Sequence, residues 1–168
     1  MVTEATPDGT EAQPDNADTR AMAYTPPYVN FDNLLQINPE TEAWILLPDT
    51  KINYPIVKHT DNAYYLNHMI DGTSNSAGTL FIDTNNSNNF ADQNTIVYGH
   101  NMKNGSMFGQ LKKYGKEDFY KEHPCFYLYT KDGVWQYDIF SVRVVDELSD
   151  SYTMTFASTD AYRSYLDQ

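Results

Sequence analysis

Thr95-Ile96-Val97-Tyr98-Gly99-His100-Asn101-Met102 joins two signals in eight residues: a β-branched and aromatic run that suits a buried strand, and a turn opened by glycine that holds a histidine. Rigid scaffolds present reactive side chains at strand ends. Gly99 is expected to let the backbone bend sharply there. An imidazole titrates near neutral pH, so His100 is a candidate general acid or base. By pattern alone the plainer reading, a histidine hydrogen-bonded in a turn, is the better one, and something beyond spacing has to decide.

Toward the N-terminus the same strand character recurs at residues 78–83, 52–57 and 43–47. The turn residues Pro48, Asp49 and Thr50 separate the last two, and Pro55 is expected to push its strand to a sheet edge or bulge. Phe31, Leu34, Leu35 and Ile37 recur at helical spacing behind Asn30, a suitable N-cap. Residues 1–23 hold almost nothing large and apolar and read as a disordered acidic stalk or leader, a cloning remnant being compositionally equivalent. Toward the C-terminus, Met107, Phe108, Leu111 and Tyr114 share one helical face, and Phe119 and Tyr120 begin a short helix ended by Pro124. Strands over 126–130 and 134–145 flank Lys131-Asp132-Gly133, a hairpin link, and a helix is expected over 159–168. Short strands with short helices between them predict a mainly β fold, a barrel with helical decoration and an N-terminal helix, over residues 24–168.

Composition narrows the function classes. With 168 residues, 40% of them hydrophobic, the chain suits one domain. Its net charge of −12 repels phosphate backbones and anionic membrane surfaces, which disfavours nucleic-acid partners. His59, His68, His100 and His123 lack His-x-x-x-His spacing, and the lone Cys125 allows neither a Cys-x-x-Cys pair nor an intramolecular disulfide. A metal-dependent hydrolase using His100 with Asp83 or Asp92 has only loose clustering behind it. No run of residues is long and apolar enough for a membrane span, and the N-terminus lacks the order of a signal peptide.

Beyond spacing, the order of motifs resembles the class B sortases, cysteine transpeptidases of the Gram-positive cell surface. The resemblance rests on Ile37-Asn38-Pro39-Glu40-Thr41-Glu42-Ala43-Trp44-Ile45, Ile52-Asn53-Tyr54-Pro55-Ile56-Val57 and Asp61-Asn62-Ala63-Tyr64-Tyr65-Leu66-Asn67. It continues through Gly78-Thr79-Leu80-Phe81-Ile82-Asp83, Asn94 to Met102, and Ser106-Met107-Phe108 as far as Tyr114. It implies a sortase-type β-barrel in which His100 is the catalytic histidine. In that chemistry a cysteine thiolate attacks a threonine carbonyl of a sorting-signal peptide and holds the product as a thioester, which an amine of peptidoglycan or of a pilin resolves. The histidine protonates the departing amine and deprotonates the incoming one, an arginine steadies the oxyanion, and no metal or nucleotide cofactor is needed. The resemblance further implies that Asn62, Leu66 and Tyr152 line the peptide groove. Against this, Asn62 could cap a helix starting at Ala63, Leu66 could be core, and Tyr152 could be one of fourteen tyrosines without special duty. The implied location is the outer face of the cytoplasmic membrane, with any anchor outside this chain.

The family's Thr-Leu-x-Thr-Cys strand end and the arginine one strand later are absent from the 168 residues. The expectation is therefore a domain incomplete at its C-terminus, without its last strands and inactive alone. Cys125 falls where the resemblance calls for an ordinary apolar residue, and Arg143 falls outside the family's arginine position. The alternative is a non-catalytic surface module, or degenerate sortase, that keeps only the peptide groove.

Overall fold

The computed structural model describes residues 25–146 and 149–167, so the acidic stretch 1–23 lies outside the described residues. Helix α1 (Phe31–Ile37) starts where expected, the Asn30 side chain accepting from the Asn33 N–H at 3.0 Å. Strands β1 (Thr41–Leu46) and β2 (Asn53–Val57) follow as an antiparallel pair. Next come β3 (Leu80–Ile82), β4 (Val97–Tyr98), helix α2 (Glu117–Glu122), β5 (Cys125–Thr130), β6 (Gly133–Asp138) and helix α3 (Thr159–Leu166). The six strands form one sheet in the order β4-β3-β2-β1-β5-β6, in which only β2 and β3 run parallel. A parallel pair needs a long crossover, and residues 58–79 supply it. The fold is mainly β as expected, but the sheet is open: β4 and β6 are its edges.

Side chains alternate across the sheet with the two-residue period of strands. One face gathers Ala43, Ile45, Ile56, Leu80, Ile82 and Leu128 into the main core, with Leu47 and Ile52 from the β1–β2 turn. Burying each such aliphatic side chain is worth about 1.5–3 kcal/mol. Next to this face lies a cavity of 660 Å³, bounded on its far side by Phe140, Val142 and α3. The opposite face holds Leu46, Tyr127 and Tyr129 under Val29 and Phe31, and, toward β4, Val57, Phe81 and Tyr65 with Tyr98.

Four expectations change. Pro55 sits in an interior strand, opposite Trp44. The Leu47 N–H donates to the Ile52 carbonyl at 2.8 Å, and alternation along the ladder makes Trp44–Pro55 a pair without mutual hydrogen bonds, so the proline nitrogen needs no partner from β1. β3 joins only from Ile56 onward, leaving that side of Pro55 unpaired as well. Met107 and Phe108 are not helical: Met107 has φ +49°, and the turn is a short 3₁₀ segment over Leu111–Gly115. β6 stops at Asp138, beyond which the Ile139 N–H still donates to the Pro124 carbonyl, and among the described residues no strand pairs with 139–146. α3 ends at Leu166.

Candidate active site

β4 ends at Tyr98, and the chain leaves the sheet through Gly99 to His100. The glycine is needed, though not for a bend, since its φ lies outside the left-handed region. A Cβ there would stand 2.3 Å from Leu80 Cδ2 and 2.7 Å from Phe108 Cδ2, so any side chain at this position forces those two side chains to shift. That loop folds back at once: the Phe108 N–H donates to the His100 carbonyl at 3.0 Å, and Asn101 pairs with Met107.

The His100 ring is partly exposed, with Nε2 2.7 Å from the Leu66 carbonyl oxygen. A carbonyl can only accept, so Nε2 carries the proton and Nδ1 is the nitrogen left for proton traffic. Leu66 closes a 3₁₀ turn (Tyr64–Leu66) that Asp61 caps, its Oδ1 accepting from the N–H groups of Ala63 and Tyr64 at 2.7 Å each. Those two bonds hold the Asp61 carboxyl below its ordinary range. The capping anticipated for Asn62 thus belongs to Asp61. Nor is Leu66 core: its residue is 43% exposed, and its carbonyl holds the histidine.

Asn62 is tied at both ends of its amide. Its Nδ2 donates to Asp83 Oδ2 at 2.9 Å, and its Oδ1 accepts from the Thr84 N–H at 2.9 Å. Asp83, only 4% exposed, also accepts from the Tyr98 hydroxyl at 2.8 Å and from the Asn85 N–H and Nδ2 at 2.8 and 3.0 Å. Burial alone would push this carboxyl up, but the Asn85 backbone, Tyr98, the Asn85 amide and Asn62 together overcome it and hold it below its usual range. Tyr98 is pushed up to about 12 by burial and then by Asp83, with Tyr152 adding a smaller electrostatic push. Tyr152, 41% exposed in the 3₁₀ turn Asp150–Tyr152, is flanked by the Ser151 and Thr153 carbonyls, both of which accept from the Asn94 amide just before β4.

A second polar net supports the same crossover. Glu40 accepts from Tyr65 OH at 2.7 Å and lies 2.7 Å from His59 Nδ1, while the Asn38 amide donates to Tyr65 OH at 2.6 Å and to the Ile70 carbonyl at 2.9 Å. Tyr65 is pushed up to about 12 by burial and by Glu40. Sequence reasoning missed both nets. The strand alternation could have found Tyr98, because it sets Tyr98 on the face opposite Val97, but the convergence of Asn62 on Asp83 joins residues 21 apart.

The structure does not bring Asp83 or Asp92 to His100 as metal partners. Asp83 is used as described, and Asp92 Oδ2 accepts from the Ser87 N–H and the Asn86 amide. Among the described residues no group of three His, Cys, Asp or Glu side chains is gathered for a metal ion. Cys125 starts β5 among Leu46, Tyr127 and Tyr129, and β1, β2 and β3 stand between it and β4. That is four strand spacings, about 19 Å along the sheet. Burial and then Asp138 push its thiol up, the wrong direction for a nucleophile. Arg143 is exposed and lines the 660 Å³ cavity.

A mainly β, open sheet with short helices between its strands, presenting one histidine at a strand end beside a long crossover, has the build of a β-barrel-like enzyme domain. The sortase domain family matches residues 45–163, and the chain belongs to that family, on its class B side. It is 38% identical over 138 residues to the sortase B of Listeria monocytogenes, covering 81% of this chain and 55% of that protein. To the sortase B of Staphylococcus aureus it is 32% identical over 139 residues, 82% of this chain and 57% of that one. The chain therefore spans little more than half the length of these curated relatives. Among solved structures, the Staphylococcus aureus sortase B–substrate complex superposes with a TM-score of 0.78 at 31% identity, covering 82% of this chain and 63% of that one. Both relatives come from Gram-positive bacteria. Among the described residues no helix is long and apolar enough to cross a membrane.

Proposed function

We propose that this chain supplies the acid–base and peptide-groove half of a class B sortase reaction: cleavage of a sorting signal after threonine and transfer of the acyl group to an amine of the cell wall or a pilin. The observation that carries the reading is His100 itself. It stands at the end of β4 with Nε2 committed to the Leu66 carbonyl, which leaves Nδ1 to take the proton of the attacking thiol, pass it to the departing amine, and then take one from the incoming amine as the thiolate leaves. Asn62, Leu66 and Tyr152 line the approach of the sorting-signal peptide, a reading supported by the bonds that tie Asn62 to Asp83 and the Leu66 carbonyl to His100, and by the Asn94 amide, which holds the Ser151 and Thr153 carbonyls on either side of Tyr152; the substrate-bound Staphylococcus aureus relative supports a peptide ligand. The thiolate of the reaction is not Cys125, which lies on another strand with a raised pKa. The domain proper occupies residues 24–168, residues 1–23 act as an acidic stalk, and the site of action is the outer face of the cytoplasmic membrane.

The test is made in the cell that carries the gene. His100→Ala should lower anchoring of sorting-signal proteins about a thousandfold, within the range for loss of a general acid–base group, and Cys125→Ala should leave it intact. In the 168-residue chain a sorting-signal peptide should perturb the NMR signals of Asn62, Leu66 and Tyr152. Anchoring that survives His100→Ala overturns the reading, and peptide binding without anchoring identifies a non-catalytic module instead.

A further inference from the structure

Asp83 is a buried carboxylate for which acyl transfer has no direct use, yet it closes a ring of contacts through His100. One arm of the ring runs from Asp83 Oδ2 to the Asn62 amide, along the 3₁₀ turn to Leu66, and through the Leu66 carbonyl to His100 Nε2. The other runs from the same oxygen to the Tyr98 hydroxyl and through Gly99 to His100. Only three residues separate Asn62 from Leu66 and only Gly99 separates Tyr98 from His100, so a shift at Asp83 has little chain in which to dissipate. Gly99 has no side-chain slack either, given its distances from Leu80 and Phe108.

We propose that Asp83 is a positioning residue for His100, setting the imidazole by holding the crossover loop against β4. The inference rests on the assignment of His100 as the acid–base group, and it explains why the acceptor is a carboxylate rather than an amide. Oδ2 takes two donors, from Asn62 and Tyr98, and Oδ1 takes two from Asn85. An asparagine turned either way would set its NH2 against two donors, so either the two arms or the two Asn85 bonds that anchor the group are lost. The carboxylate does not reach the ring and takes no proton in the reaction; it fixes where the Leu66 carbonyl stands.

The experiment is ¹⁵N-edited NMR of the 168-residue chain, reading solvent exchange of the His100 Nε2–H, with no substrate present. Asp83→Asn should speed that exchange about tenfold, as expected when a local opening loses one hydrogen-bonded tie, while circular dichroism stays native. Asp92→Asn is the control, because Asp92 caps the same Asn-rich loop without touching Asn62 or Tyr98. Wild-type exchange in Asp83→Asn, or an equal rise in Asp92→Asn, overturns the proposal. Should Asp83→Asn not fold, Tyr98→Phe and Asn62→Ala each remove one arm, and unchanged exchange in both overturns it equally. Since no turnover is measured, a failure here is distinct from a failure of the transpeptidase reading, which the anchoring assay decides alone.

Discussion

At its β4 edge the sheet ends in polar groups that are tied to named partners: Tyr98 to Asp83, Asp83 to Asn62, His100 to Leu66. At its β6 edge it ends in apolar side chains open to solvent: Val134, Trp135 and Tyr137 half-exposed along the strand, Phe140 at 76% exposure and Val144 fully exposed beyond it. The two edges share one core and one set of central strands, so the contrast is not one of overall stability. Hydrogen bonds are directional and fix a geometry, whereas apolar contact is proportional to area and indifferent to angle. A site that must present one nitrogen of one ring needs the first kind of edge. A surface of the second kind is generic, and contiguous apolar patches on it are adhesive.

The sharpest way to break the tied edge is Gly99→Ala. The new methyl would fall 2.3 Å from Leu80 Cδ2, and Leu80 is fully buried, so its side chain and that of Phe108 must repack at the β4 edge. Overpacking of this kind costs about 3 kcal/mol, to be read from urea unfolding. His100 should lose its contact with Leu66 in the same variant, which a change in its ring NMR signals would report. An unfolding midpoint equal to that of the parent would mean that the β4 edge is as plastic as the β6 edge.

Gly99 also shows where the sequence could and could not be read. Its importance was legible from its place between a strand and a histidine, but the reason was not, because the atoms that a side chain would meet come from Leu80 and Phe108 on other elements. α1 and its Asn30 cap, the β5–β6 hairpin and the helical start near Ser158 were legible because each is a local pattern with a local cause. Pro55 misled because a proline in a central strand is tolerated only at a position whose N–H no neighbour needs, which depends on pairing register and on where β3 begins. The extended strand expected to reach Val145 failed for the complementary reason: alternating Phe140, Val142 and Val144 state a preference for burial, and a strand forms only where a partner meets it. His100 was found by position and by resemblance, whereas the Asp83 hub rests on contacts between residues 15 and 21 apart in sequence.

A milder way to loosen the tied edge is acid. The Asp83 carboxyl is held below its ordinary value, so its contribution is fully present above the unfolded-state value of about 4 and is lost as the pH falls through the lower folded-state value. Hydrogen bonds to a charged group of this sort are worth about 2 kcal/mol. Urea unfolding of the parent chain should weaken from pH 5 downward. Asp83→Asn should be weaker by about 2 kcal/mol at pH 7 and should show a shallower acid dependence, because the group that titrates is gone. An identical pH profile in parent and variant would remove Asp83 from the account of this edge.

The bare edge should answer to surface chemistry rather than to geometry. Phe140→Asp with Val144→Lys replaces two exposed apolar side chains that the core does not use. Surface changes of this type shift stability by no more than about 0.5 kcal/mol, yet they break the apolar patch that a fluorescent hydrophobic dye reads. Dye fluorescence and light scattering of the parent should both exceed those of the double variant, with urea midpoints almost the same. A large loss of stability would show instead that Phe140, which lines the 660 Å³ cavity, closes over the main core and that this edge is specified as tightly as the one that holds His100.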